Sequence, residues 1–98
     1  MKKNVNELLL KYYDTFINNV NCHVQQYEEQ KIDYYMFTVL ADISLEKYRG
    51  QIDVLNDLGY ISYEVWSHKF DVATGFVHDW SRKIRKMEYE PKKSAIGG

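Results

Sequence analysis

Seven apolar residues, Trp66, Phe70, Ala73, Val77, Trp80, Ile84 and Met87, recur at alternating steps of four and three. A strand would throw such a series onto both of its faces. A helix gathers it into one seam. Val65, Val72 and Phe76 broaden the seam beyond two residues per heptad, which suits a bundle core as well as a coiled coil. The spacing predicts a helix over about 62–88. One stretch competes with that reading. Ile61, Tyr63 and Val65 alternate with Ser62 and Glu64, as in the wing of a winged helix, so residues 60–66 also fit a strand. The helix is preferred because the heptad pattern runs on well past Trp66.

Two short phrases mark helix starts. At Ile43-Ser44 and again at Ile61-Ser62, an apolar residue precedes a serine, and a large aromatic (Tyr48, Trp66) follows four positions later. A serine oxygen at such a position accepts an orphan backbone N–H, while the flanking apolar pair packs outside the first turn. Gly59 falls where a helix ending at Leu58 needs a left-handed residue.

The first half of the chain has no glycine or proline before Gly50, which argues for helix throughout. Asn4 with Glu7 reads as a capping box variant. Leu9, Tyr13, Phe16, Val20, His23 and Tyr27, widened by Val5, Tyr12 and Val24, form the inner stripe of a helix over about 5–29. A second, short helix is expected over about 33–42, with Asp33 as its cap and Ile32, Tyr35, Met36, Val39, Leu40 and Ile43 at helical spacing. Without a strong breaker between them, the first two helices also fit one kinked helix. A third helix over 44–58 turns Leu45, Tyr48, Ile52 and Leu55 inward. Gly50 inside it costs about 1 kcal/mol relative to alanine, so a closely packed neighbour is expected there.

The expectation is therefore an all-α fold, a small bundle of about four helices, two long and two short, completed by homo-oligomerisation, with a winged-helix-like arrangement as the alternative. Residues 1–90 form the single helical domain, and 91–98, beginning at Pro91, a flexible tail. Ninety-eight residues make one domain with much surface for its volume. No run approaches the length of a membrane span, so no membrane association is expected. The N-terminal stretch Met1–Glu7 is too polar for a signal peptide, and the lone Cys22 fits a reducing, cytoplasmic setting. Nine tyrosines against four phenylalanines suit half-buried positions and contact surfaces.

Charge is unevenly placed. Residues 1–80 carry seven Lys and Arg against twelve Asp and Glu, whereas 81–98 carry six against two. The basic patch Arg82, Lys83, Arg85 and Lys86 has a plain role, offsetting the dipole at a helix C-terminus. It also fits nucleic acid or the acidic body of another copy. The helix 33–42, a turn and the helix 44–58 resemble a helix-turn-helix unit. Yet the outward Glu46, Lys47, Arg49, Asp53, Asn56 and Asp57 nearly cancel in charge, which disfavours phosphate contact.

No catalytic group, metal site or cofactor site is nominated. Glu64, His68, Asp71 and His78 share one face of the last helix, with the i, i+4 spacing of metal ligands, but that face lies opposite the Trp66–Trp80 seam and reads as solvated. Adjacent Cys22 and His23 point about 100° apart on a helix, and His23 falls on the apolar stripe as a partly buried, hydrogen-bonded residue. The expected function is non-enzymatic: a small interaction protein that binds a protein partner and forms a homo-oligomer, a dimer first of all. Trp66, Phe70, Val72, Phe76, Val77 and Trp80 are its expected interface. Size and a Lys-, Asn-, Ile- and Tyr-rich composition fit an accessory protein or inhibitor of a phage or mobile element. The alternative is a helix-turn-helix-like nucleic-acid-binding regulator.

Overall fold

The computed structural model describes residues 4–97, with side chains over 4–88. The expected loose tail over 91–98 lies outside the described side chains. Three helices follow one another: α1 (Asn4–Glu28), α2 (Tyr34–Asp57) and α3 (Tyr63–Gly97). No strand occurs among the described residues, and 63–66 belong to α3, so the wing reading of 60–66 is not realised.

The expected helices 33–42 and 44–58 are one continuous helix, α2. Ser44 is not a cap; it sits mid-helix and is only 7% exposed. The reason is a second stripe that runs straight through it. Phe37, Ala41, Ser44, Tyr48, Ile52 and Leu55 keep helical spacing and are all buried. Nothing ahead of Ser44 takes the chain out of helical conformation. The helix-turn-helix unit therefore has no turn, and of the residues at helical spacing in the expected short helix Tyr35, Met36 and Ile43 are exposed.

The real ends are chemically specified. Ser62 is the N-cap of α3: its Oγ accepts the Val65 N–H at 3.1 Å, and the Trp66 N–H bonds the Ser62 carbonyl at 2.9 Å. Ile61, ahead of the cap, is buried. Asp33 caps α2, its Oδ1 accepting the Met36 N–H at 2.8 Å. The end of α2 is closed by Gly59 at φ 81°, with the Tyr60 N–H donated to the Leu55 carbonyl at 2.9 Å and the Gly59 N–H to that of Asn56 at 3.0 Å. That is a Schellman closure. The end of α1 uses the same bonds, Lys31 N–H to Gln26 carbonyl and Gln30 N–H to Tyr27 carbonyl, both at 2.9 Å. Here the left-handed residue is Gln30, at φ 62°, a conformation that costs a non-glycine residue about 1–2 kcal/mol. This break separates α1 from α2. Asn4, the first described residue, is already helical, so it does not stand ahead of α1 as a cap.

α2 runs back between α1 and α3, which are parallel to each other: Phe16 meets Phe76, and further along Tyr27 meets Glu88. α1 and α3 touch each other far less than either touches α2. The core gathers Leu9, Phe16, Val20 and Val24 of α1, the α2 stripe, and Ala73, Val77 and Ile84 of α3. At its middle Phe16 stacks on Tyr48 (centroids 5.4 Å, 25°) and meets Phe76 edge-on (6.0 Å, 64°).

The two serines now have opposite expectations. Ser62→Ala removes a cap bond and should destabilise by about 0.5–2 kcal/mol. Ser44→Ala, inside α2, should leave stability within about 0.5 kcal/mol of the parent, since alanine is the better helix former. Denaturant midpoints of the two variants check this; equal losses would restore a helix start at Ser44.

Candidate interaction surfaces

The α3 seam divides its members between core and surface. Val77 is 3% exposed and lies inside the core. Trp66, Phe70, Phe76 and Trp80 are half-buried and pack against that core. Val72 alone of the six expected interface residues is open, at 44%. Trp66 is held at both ends: its Nε1–H donates to Asp53 Oδ1 of α2 at 2.5 Å, and its ring stacks between Tyr63 and Phe70. The Arg49 guanidinium lies 5.8 Å from the Phe70 centroid. These contacts tie α3 to α2, and nothing in the sequence spacing announced the Trp66–Asp53 bond.

Where α1 and α3 stand apart, a groove opens. It has a volume of 450 Å³ and is lined by Asn6, Leu9, Leu10, Tyr13, His68, Lys69 and Val72. A second hollow, of 410 Å³, adjoins it by sharing Asn6 and Leu9 and is closed by Tyr60, Ile61 and Val65. Its rim is apolar, with Leu10, Tyr60, Val65 and Val72 exposed. At the other end of the same seam Tyr27 donates to Glu88 Oε2 at 2.7 Å. Burial first, then the hydrogen bond and charge of Glu88, push the Tyr27 phenol up to about 12.

A further apolar strip lies on α2. Met36, Ile43, Val54 and Leu58 are exposed, and Gly50 sits among them. A Cβ added at Gly50 meets nothing within 4 Å. The close intrachain neighbour expected for this glycine is therefore not there.

Arg82, Lys83, Arg85 and Lys86 are all exposed, so the basic patch is on the surface. Arg82 pairs with Asp79 at 2.7 Å, and the Lys83 ammonium lies 4.9 Å from the Trp80 ring centroid. The stripe Glu64, His68, Asp71 and His78 faces solvent, and among the described residues no three metal-ligating side chains come together. His23 is half-buried, with Nδ1 3.1 Å from Gln26 Oε1, while Cys22 is exposed. Among the described residues no helix is long and apolar enough to cross a membrane. Compared with family models, with curated proteins and with solved structures, the chain matches none.

Among the described residues two buried side-chain oxygens lack a partner, those of Tyr48 and Thr74. The Tyr48 hydroxyl is buried and makes no hydrogen bond. Burial, and secondarily Tyr13, push its pKa from 10.0 up to about 12. The folded protein thus holds this proton longer than the unfolded chain does. Its share of stability is complete below about pH 10 and is lost as pH rises towards about pH 12. Tyr48→Phe should leave stability at pH 7 unchanged or higher, because an unmet buried hydroxyl carries a desolvation cost of about 1–3 kcal/mol. It should also flatten the alkaline loss. Chemical denaturation at pH 7 and across the alkaline range checks both; a clear loss at pH 7 would mean the hydroxyl has a partner.

Proposed function

We propose that this chain is a small, non-enzymatic interaction protein that binds other protein surfaces and associates with itself. The observation that carries this reading is the amount of large apolar side chain left outside a core that is already closed. Single exposed apolar residues are ordinary, but contiguous ones mark contact sites. Here they fall into two groups, the rim of the α1–α3 groove and the outer strip of α2. Tyrosines add to it: Tyr35, Tyr60 and Tyr63 are exposed, and such rings bury apolar area while keeping a hydroxyl for water or a partner. Cys22, an exposed free thiol, accords with a reducing cytoplasm. An accessory or inhibitory role in a phage or mobile element accords with the small size and composition.

A second reading rests on the exposed Arg82, Lys83, Arg85 and Lys86, which offer phosphates a cationic helix face. The two readings separate by salt. Nucleic-acid affinity falls steeply with ionic strength through counterion release, whereas apolar association does not. Light scattering coupled to size exclusion, at micromolar chain and at low and high salt, should give a mass above one chain in both. Anisotropy with a random-sequence duplex should show no salt-steep binding. A monomer at low salt that binds the duplex, and loses it at high salt, would replace this proposal with the second reading.

A further inference from the structure

The strip on α2 has an order of its own. Met36, Leu40, Ile43, Lys47, Gly50 and Val54 recur at alternating steps of four and three, a second heptad seam on a different side of α2 from the buried one, and the C-cap Leu58 follows one turn on. Ile43 is 60% exposed, Val54 54% and Leu58 63%. At its centre stand two residues that the folded chain does not explain. Gly50 weakens the helix and has open space where its side chain would be. Lys47 lies in the middle of the apolar row and makes no ion pair among the described residues.

We propose that this seam docks α2 of a second copy, antiparallel, about a two-fold axis between Lys47 and Gly50. The proposal rests on the self-association read above and names its surface. The seam is complementary to its own reverse. The register that sets Ile43 against Val54 of the second copy also sets Lys47 against Gly50 and Leu40 against Asp57, because all three pairs share one midpoint, and it brings Val39 and Leu58, which border the seam, opposite each other. Each pair occurs twice in an isologous contact. Glycine lets the facing backbone approach and leaves a path for the lysine stem. On the helix surface Glu46, in an exposed pair with Arg49, and Asp53, whose Oδ1 accepts the Trp66 indole N–H, flank Gly50 at i−4 and i+3, so the ammonium that crosses Gly50 arrives beside the remaining oxygens of two carboxylates of the other copy. A parallel pairing in register would instead set Lys47 against Lys47. Charge therefore selects the antiparallel arrangement and a second copy as occupant.

The test uses the full chain. Sedimentation equilibrium should find a dimer at micromolar concentration. Ile43→Glu and Gly50→Gln should each weaken it at least about tenfold, since a charge or a bulky side chain is forced into the contact. Helix content by circular dichroism should be unchanged, because both sites are open in a single chain. With Cys22→Ser as background, the double variant Ile43→Cys/Val54→Cys should cross-link into dimers on mild oxidation, and neither single variant should. A parent dimer that ignores Ile43→Glu and Gly50→Gln, or single variants that cross-link as well as the pair, would overturn the α2 assignment while leaving self-association standing. A parent that stays monomeric would overturn both.

Discussion

The ring of Phe16 is the point at which three helices become one structure. α1 and α3 barely touch elsewhere, and each leans on α2. Phe16 of α1 stacks on Tyr48 of α2 and meets Phe76 of α3 edge-on, with Tyr13 edge-on to Tyr48 beside it. Aromatic pairs in these geometries contribute about 0.5–1.5 kcal/mol beyond their area. In a chain of this size, whose total stability is on the order of 5–15 kcal/mol, that cluster decides whether α1 and α3 share a core at all. Away from it, only the Tyr27–Glu88 hydrogen bond joins their far ends among the described side chains.

The same constraint explains the surface. Because α2 is the shared wall, its inward stripe serves both neighbours, and its Asp53 and Arg49 reach across to Trp66 and Phe70. The side of α2 that carries Ile43, Gly50, Val54 and Leu58 has no such duty and stays open. Likewise the thin α1–α3 seam leaves the groove around Leu9, Leu10 and Val72. A three-helix body built this way ends with more apolar edge than it covers, which is the physical ground for reading it as an interaction protein.

Much of this was legible in the residues. The heptad seam of α3 and the Leu9–Phe16–Val20 stripe of α1 each have one apolar face, so period alone finds the core side. Gly59 and Ser62 were legible because their conformations demand those residue types. The α2 region was not. Tyr35, Met36, Val39, Leu40 and Ile43 make its first half apolar nearly all round, and Phe37 and Ala41, the residues that pack, do not stand out. Ser44 carries the same phrase as Ser62, but a capping serine starts a helix only where the chain has already left one; Gly59 does this for Ser62 and nothing does for Ser44. The end of α1 near Glu28 was legible, but a kinked continuation into α2 stayed open because Gln30, not a glycine, takes the left-handed turn. As for the candidate surface, the seam residues of α3 were found but their division between core and solvent depends on where α1 lies, and the outer strip of α2 shows only once α2 is known to be continuous.

The most direct test of this account is a solution measurement of the Phe16 junction. Nuclear Overhauser spectra of the labelled chain should connect the Phe16 ring to both Tyr48 and Phe76, with unbroken helical amide contacts through Asp42, Ile43 and Ser44. Contacts from Phe16 to Tyr48 without any to Phe76, or a break in the helical series at Ser44, would contradict the three-helix body and the surfaces that follow from it.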